Sequence, residues 1–150
     1  MTTATSDIAS PSPTTLNYAS PPPQGPSKAL LWTGRVISAL PVLALAISAV
    51  FKFLPPNADV IKGMDHVGWP MRLMFGLGIL EISCALLYAI PQTAVLGAIL
   101  VTGYMGGAIA THLRVGDNFV IQALIPFLAW LGLFLRDPRL RALLPLRTRP

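Results

Sequence analysis

Glu81 is the one acid in an otherwise apolar run from Met71 to Ile90. An ionised carboxylate in the middle of a membrane-length segment is costly and normally turns toward the protein interior. Leu77, Gly78, Cys84, Ala85 and Tyr88 share its helix face, so a neighbouring helix can come close and Tyr88 can supply a hydroxyl. Two readings stand side by side. Glu81 accepts protons or binds a ligand, or it pins helices together through a basic or polar partner. Arg35 is the predicted partner to test: counted from one membrane face, the two differ by about 6 Å along the axis at 1.5 Å per residue. In the alternative, Arg35 extends to the headgroups.

A second group lies toward the opposite face, where Lys52, His66, His112 and Arg114 fall near one level. They could line a cationic pocket for an anionic or quinone-like ligand, or simply reach interfacial water. Two distant histidines and the lone Cys84 lack metal-ligand spacing, so no metal site is predicted. Cys84 reads as a small buried side chain, because a thiolate is strongly disfavoured in hydrocarbon. Gly103 and Gly107 form a GxxxG beside a Thr102, Gly106, Ala110 ridge, which lets helix backbones touch within the bundle or between protomers, with packing inside the protein as the expected use. Tyr104, between those glycines, is either a core residue or a ligand-facing hydroxyl. No phosphate loop, Ser-His-Asp set or CxxC is present, which removes the enzyme classes that need them.

The elements that must position these residues follow from composition. Of 150 residues, 53% are hydrophobic and only 11% charged, with a net charge of +5. A soluble domain carries about a quarter charged residues, so a water-soluble globule is excluded. The eleven basic residues are scattered around apolar runs rather than gathered on one face, which argues against nucleic acid. Residues 1–27 are rich in Ser, Thr and Pro and predict a disordered tail. They lack the basic and apolar regions of a secretory signal.

Four apolar blocks follow, at about 29–54, 71–90, 93–113 and 119–135. Each is long enough to cross roughly 30 Å of hydrocarbon as a helix. Prolines stop the blocks, while Pro41 and Pro126 fall inside them. The link Asn57–Val67 is amphipathic, with Val60, Ile61, Met64 and Val67 on one face and Trp69 as an interfacial anchor. The predicted fold is therefore an all-α membrane protein, an antiparallel four-helix transmembrane bundle over residues 28–150 with a disordered N-terminal tail. Lys28, Arg35, Arg136, Arg139, Arg141, Arg147 and Arg149 outnumber Lys52, Lys62, Arg72 and Arg114, which places both termini in the cytoplasm.

Beyond Ser27 the chain resembles the DoxX-like family of small four-helix membrane proteins. The resemblance runs from Trp32-Thr33-Gly34-Arg35 through Phe51-Lys52-Phe53, Gly63-Met64-Asp65-His66-Val67-Gly68-Trp69-Pro70 and Gly78-Ile79-Leu80-Glu81. It is densest from Gly103 to Arg114 and closes with Trp130-Leu131-Gly132-Leu133 and Arg136-Asp137-Pro138-Arg139. It implies a small integral protein of a bacterial cell membrane. Some relatives belong to quinone-linked or oxidative-stress membrane complexes, a vertebrate relative assists receptor assembly, and no agreed catalytic set carries over.

Three functions stay open. In the first, the chain is an accessory subunit of a quinone-linked oxidoreductase, with Glu81 handling protons and a pocket near Tyr104 and His112, joined in the ligand-binding candidates by Arg35 and Arg114. In the second, it is a non-catalytic assembly or scaffold protein; in the third, a small-solute or lipid-binding permease. No residues for haem, flavin or iron–sulfur are evident, so a redox role would borrow a cofactor from a partner or a lipid-soluble quinone. The expected partners are the lipid bilayer and either a redox-complex subunit or further copies of the chain.

Overall fold

The computed structural model describes residues 27–143. The predicted disordered tail falls, but for Ser27, outside the described residues, as do Arg147 and Arg149. The described residues form helices α1 (Lys28–Phe53), α2 (Ala58–His66), α3 (Met74–Ala89, entered through a 3₁₀ turn Met71–Leu73), α4 (Ala94–Arg114), α5 (Val120–Arg136) and α6 (Pro138–Leu143), with no strand among them.

Local chemistry sets the limits. Ser27 Oγ accepts the Leu30 amide at 3.3 Å and Asn57 Oδ1 accepts the Val60 amide at 2.9 Å, satisfying N–H groups that open helix ends leave free. Pro55 and Pro56 follow the end of α1. α2 closes with the Gly68 amide on the Asp65 carbonyl (3.0 Å) and the Trp69 amide on the Met64 carbonyl (2.9 Å). This termination needs a left-handed residue, and Gly68 supplies it at φ +70°. Pro41 and Pro126 lie inside α1 and α5 as the sequence predicts.

α1 packs on α3 and α5, α3 on α4, and α4 on α5. The α1, α3 (with its 3₁₀ turn) and α4 segments are long and apolar enough to cross a membrane, whereas α5 is a shorter apolar helix of 17 residues. At 1.5 Å per residue α5 measures about 26 Å, just under the roughly 30 Å hydrocarbon thickness.

The interior is built from Leu45, Ala85, Tyr88, Ala98, Val101, Ala129 and Leu133, with Ala49 buried as well. Large apolar side chains point outward all round, including Trp32, Phe75, Ile121 and Phe127, each more than 60% exposed. An exterior of that kind suits lipid and not water. Close helix contact depends on three glycines. A Cβ at Gly97 would strike the Tyr88 backbone, one at Gly132 would strike Ser38, and one at Gly34 would lie 2.9 Å from the Arg136 amide nitrogen.

Tyr88 joins three helices. Its hydroxyl donates to the Ala129 carbonyl at 2.8 Å and forms a 3.0 Å hydroxyl–hydroxyl hydrogen bond with Ser38, while the Arg136 guanidinium sits 5.3 Å from its ring centre. Tyr88→Phe is expected to cost about 0.6–2 kcal/mol, the usual range for polar contacts between membrane helices. Unfolding in mixed detergent micelles measures it.

Candidate functional site

At the α2 end of the helices lies a cavity of about 600 Å³, within the 300–1,000 Å³ range of small-molecule sites. α1 contributes Ser48 and Lys52, α3 contributes Leu77, Leu80 and Glu81, α4 contributes Gly103, Tyr104, Gly107 and His112, and α5 contributes Gln122. Met64, Val67 and Trp69 complete the wall from α2 and the segment after it. Most of the lining is apolar.

The polar centre is an ion pair. Lys52 Nζ lies 2.6 Å from Glu81 Oε2 and donates to Ser48 Oγ at 2.7 Å. The Glu81 side chain is 3% exposed and that of Lys52 23%. Side chains on a helix lean toward its N-terminus, so Lys52 lies back along Ser48 and reaches Glu81 from a turn further along α1. Gln122 Oε1 is buried with no hydrogen-bond partner among the described residues, and Gln122 belongs to the same lining.

This corrects the predicted Arg35–Glu81 pair. Ser38 meets Tyr88, which sets Arg35 about ten residues, or about 15 Å, from the level of Glu81. Arg35 is exposed, with its guanidinium 5.4 Å from the Trp32 ring centre. The small-residue ridge is corrected too. A Cβ at Gly103, Gly106 or Gly107 would meet nothing within 4 Å among the described residues, so within the chain these glycines pack against no other helix, and Gly103 and Gly107 line the cavity instead. Tyr104 and His112 stand in the cavity wall beside Glu81 and Lys52. Arg114 does not: its guanidinium donates to the Val67 carbonyl, and it borders a separate, shallower hollow with Gly68 and Pro70.

A clasp that the sequence reading missed closes the α2 end. Asp117 Oδ1 lies 3.0 Å from His66 Nε2, and Oδ2 lies 3.2 Å from His112 Nδ1. With the Arg114–Val67 contact, it ties α2 to the end of α4. Hydrogen bonds from His66, and then His112, hold the Asp117 carboxyl below the usual carboxylate value. A depressed value in the folded protein means that the clasp's contribution is complete above the ordinary carboxylate pKa and lost as pH falls through the lower folded one. Asp117→Asn is therefore expected to loosen α2 at neutral pH and to abolish the acid transition, which the emission of Trp69 follows. The only sequence signal was the spacing of His112 and Asp117, five residues apart across the end of α4.

Among the described residues, no group of three His, Cys, Asp or Glu side chains could hold a metal ion. Comparison with curated proteins and with solved structures finds no match. The profile of the DoxX-like family, in contrast, matches residues 36–135. That span holds the whole cavity lining and two thirds of the chain. With its apolar exterior and membrane-length helices, the chain is an integral membrane protein and belongs to the DoxX-like family.

Proposed function

We propose that the chain is an antiparallel four-helix transmembrane bundle that binds a quinone-type lipid as an accessory subunit of a membrane oxidoreductase complex. The observation that carries this reading is the buried Lys52–Glu81 pair in the wall of a mostly apolar cavity. An apolar ligand body suits the walls. A polar head suits the ammonium of Lys52, the carboxylate of Glu81, the Gln122 amide, the Tyr104 hydroxyl and the His112 ring. A bound quinone would supply two-electron, two-proton redox chemistry, while Glu81 and His112 would hold protons near its head and the α2 clasp would limit water.

The antiparallel arrangement is supported by contact order. Ser38 and then Lys52 on α1 meet Tyr88 and then Glu81 on α3, and Gly97 on α4 meets Tyr88. The excess of Lys and Arg at the end carrying Lys28 and Arg136 supports cytoplasmic termini in a bacterial cell membrane. The cavity would then open on the outer half.

Titration of decylubiquinone into the reconstituted protein, followed by tryptophan quenching, tests the reading. Saturable binding is expected, weakened at least about tenfold (about 1.4 kcal/mol) by Glu81→Gln, with folding retained because Gln still accepts from Lys52. A scaffold protein would instead lose only stability in that variant.

A further inference from the structure

We infer that the cavity is loaded sideways from the bilayer, through a window between α3 and α4 that Gly103 and Gly107 keep open, and that its ligands are therefore bilayer-dissolved molecules with an apolar body and a small polar head. This rests on the reading of the cavity as a ligand site in a membrane-spanning chain. It does not require the ligand to be a quinone.

Two independent observations carry it. The first is the state of the two ends of the path. Toward water, Met64, Val67 and Trp69 lie over the cavity. They are fastened by the His66–Asp117–His112 clasp and by the Arg114–Val67 contact. α2 buries none of its own residues, so it stays in place through these ties and not as part of a core. Toward lipid, Leu80 of α3, 49% exposed, and the exposed Gly103 and Gly107 of α4 belong to the cavity lining.

The second is the absence of side chains where packing would demand none. Gly97, Gly132 and Gly34 are glycines because a neighbour occupies the place of a Cβ; of the helical glycines that meet nothing within 4 Å among the described residues (Gly63, Gly76, Gly103, Gly106 and Gly107), only Gly103 and Gly107 line this cavity. Glycine in a helix interior costs about 1 kcal/mol against alanine, and here no close contact requires it. Side chains at these two positions would narrow the way from the α3–α4 flank to Glu81 and Tyr104. A molecule arriving there leaves hydrocarbon for a mostly apolar wall, so its body crosses without a hydration penalty. Its head meets the Lys52–Glu81 pair within the same cavity.

The test uses the full chain in phosphatidylcholine vesicles with a photoactivatable alkyl diazirine of fatty-alcohol length dissolved in the bilayer, and maps adducts by mass spectrometry. Wild type is expected to carry adducts inside the cavity, on Glu81 and Tyr104, and outside, on exposed Leu43 and Phe127. In Gly103→Leu/Gly107→Leu the interior adducts are expected to be lost and the exterior ones kept, the latter serving as the folding control. Should that variant fail to insert, Leu80→Trp narrows the same window from α3 and is expected to give the same loss. Interior adducts that persist with the window filled would overturn the inference and move admission to the α1–α5 flank, where exposed Ala44 and Ile121 also line the cavity. Wild-type protein labelled only on its exterior would overturn it as well. Competition by decylubiquinone reads the quinone assignment separately: failure to displace the interior adducts removes the quinone and leaves the window.

Discussion

Lys52→Met is expected to destabilise the folded protein by about 3–5 kcal/mol, the cost of leaving a buried charge without its partner. Glu81 is the charge so stranded: its side chain is 3% exposed and Lys52 is its ion-pair partner at 2.6 Å. The wall around Glu81 is mostly apolar, so little there takes the place of the lost ammonium. The double variant Lys52→Met/Glu81→Met should recover much of the loss, because removing both charges also removes their desolvation cost. Denaturant titration in mixed micelles of the wild type, the two single variants and the double variant measures the coupling directly. Equal, additive losses would mean that the pair does not hold the helices, and Glu81 would need another reason to be where it is. Arg35→Met, by contrast, is expected to leave Glu81 unaffected, since Arg35 is exposed and lies beside Trp32.

The second large effect separates glycines that look alike in the sequence. Gly97→Leu is expected to cost about 3 kcal/mol or more, at or beyond the top of the usual overpacking range, because even its first carbon would collide with the backbone of Tyr88. Backbone cannot yield as the end of a flexible side chain can, so α3 and α4 would have to move apart. The Tyr88 hydroxyl would then be drawn from Ala129 and Ser38. Gly103→Leu, six residues on, meets nothing within 4 Å at its Cβ and should leave stability nearly unchanged or raise it slightly through helix propensity. Thermal unfolding of the two variants side by side checks this. Similar losses in both would mean that α4 packs through its GxxxG after all.

That contrast also shows what the sequence could and could not convey. Hydropathy and proline placement locate the long helices to within one to three residues, because the length needed to cross hydrocarbon and the missing amide of proline act locally. The amphipathic link appears as α2 for the same reason. Registers between helices are a different matter. The predicted Arg35–Glu81 pair came from counting depth along each block separately, whereas the true level of Glu81 is set by Tyr88 meeting Ser38 across two helices. Lys52 was placed near the other face by its Cα, and its side chain's lean back along Ser48 brings the ammonium down to Glu81. The face itself was readable: Gly34, Ser38, Pro41, Leu45 and Ala49 are all buried at helical spacing, and Lys52 continues that stripe. The glycines of α4 misled because GxxxG reports only small size, and small size serves an opening as well as a contact. Asp117 carries no sequence signal of its tie to α2, because nothing local reveals that His66, 51 residues earlier, returns to meet it.

The most direct test of the ligand-binding reading is native mass spectrometry of the protein released gently from its own membranes, with Glu81→Gln prepared in parallel. A quinone-mass adduct on the wild type, alone or with a co-purifying redox subunit, that is depleted in Glu81→Gln is the expected result. A wild type carrying only bulk phospholipid, with the same adduct pattern in the variant, would contradict it and leave the Lys52–Glu81 pair as a lock between helices.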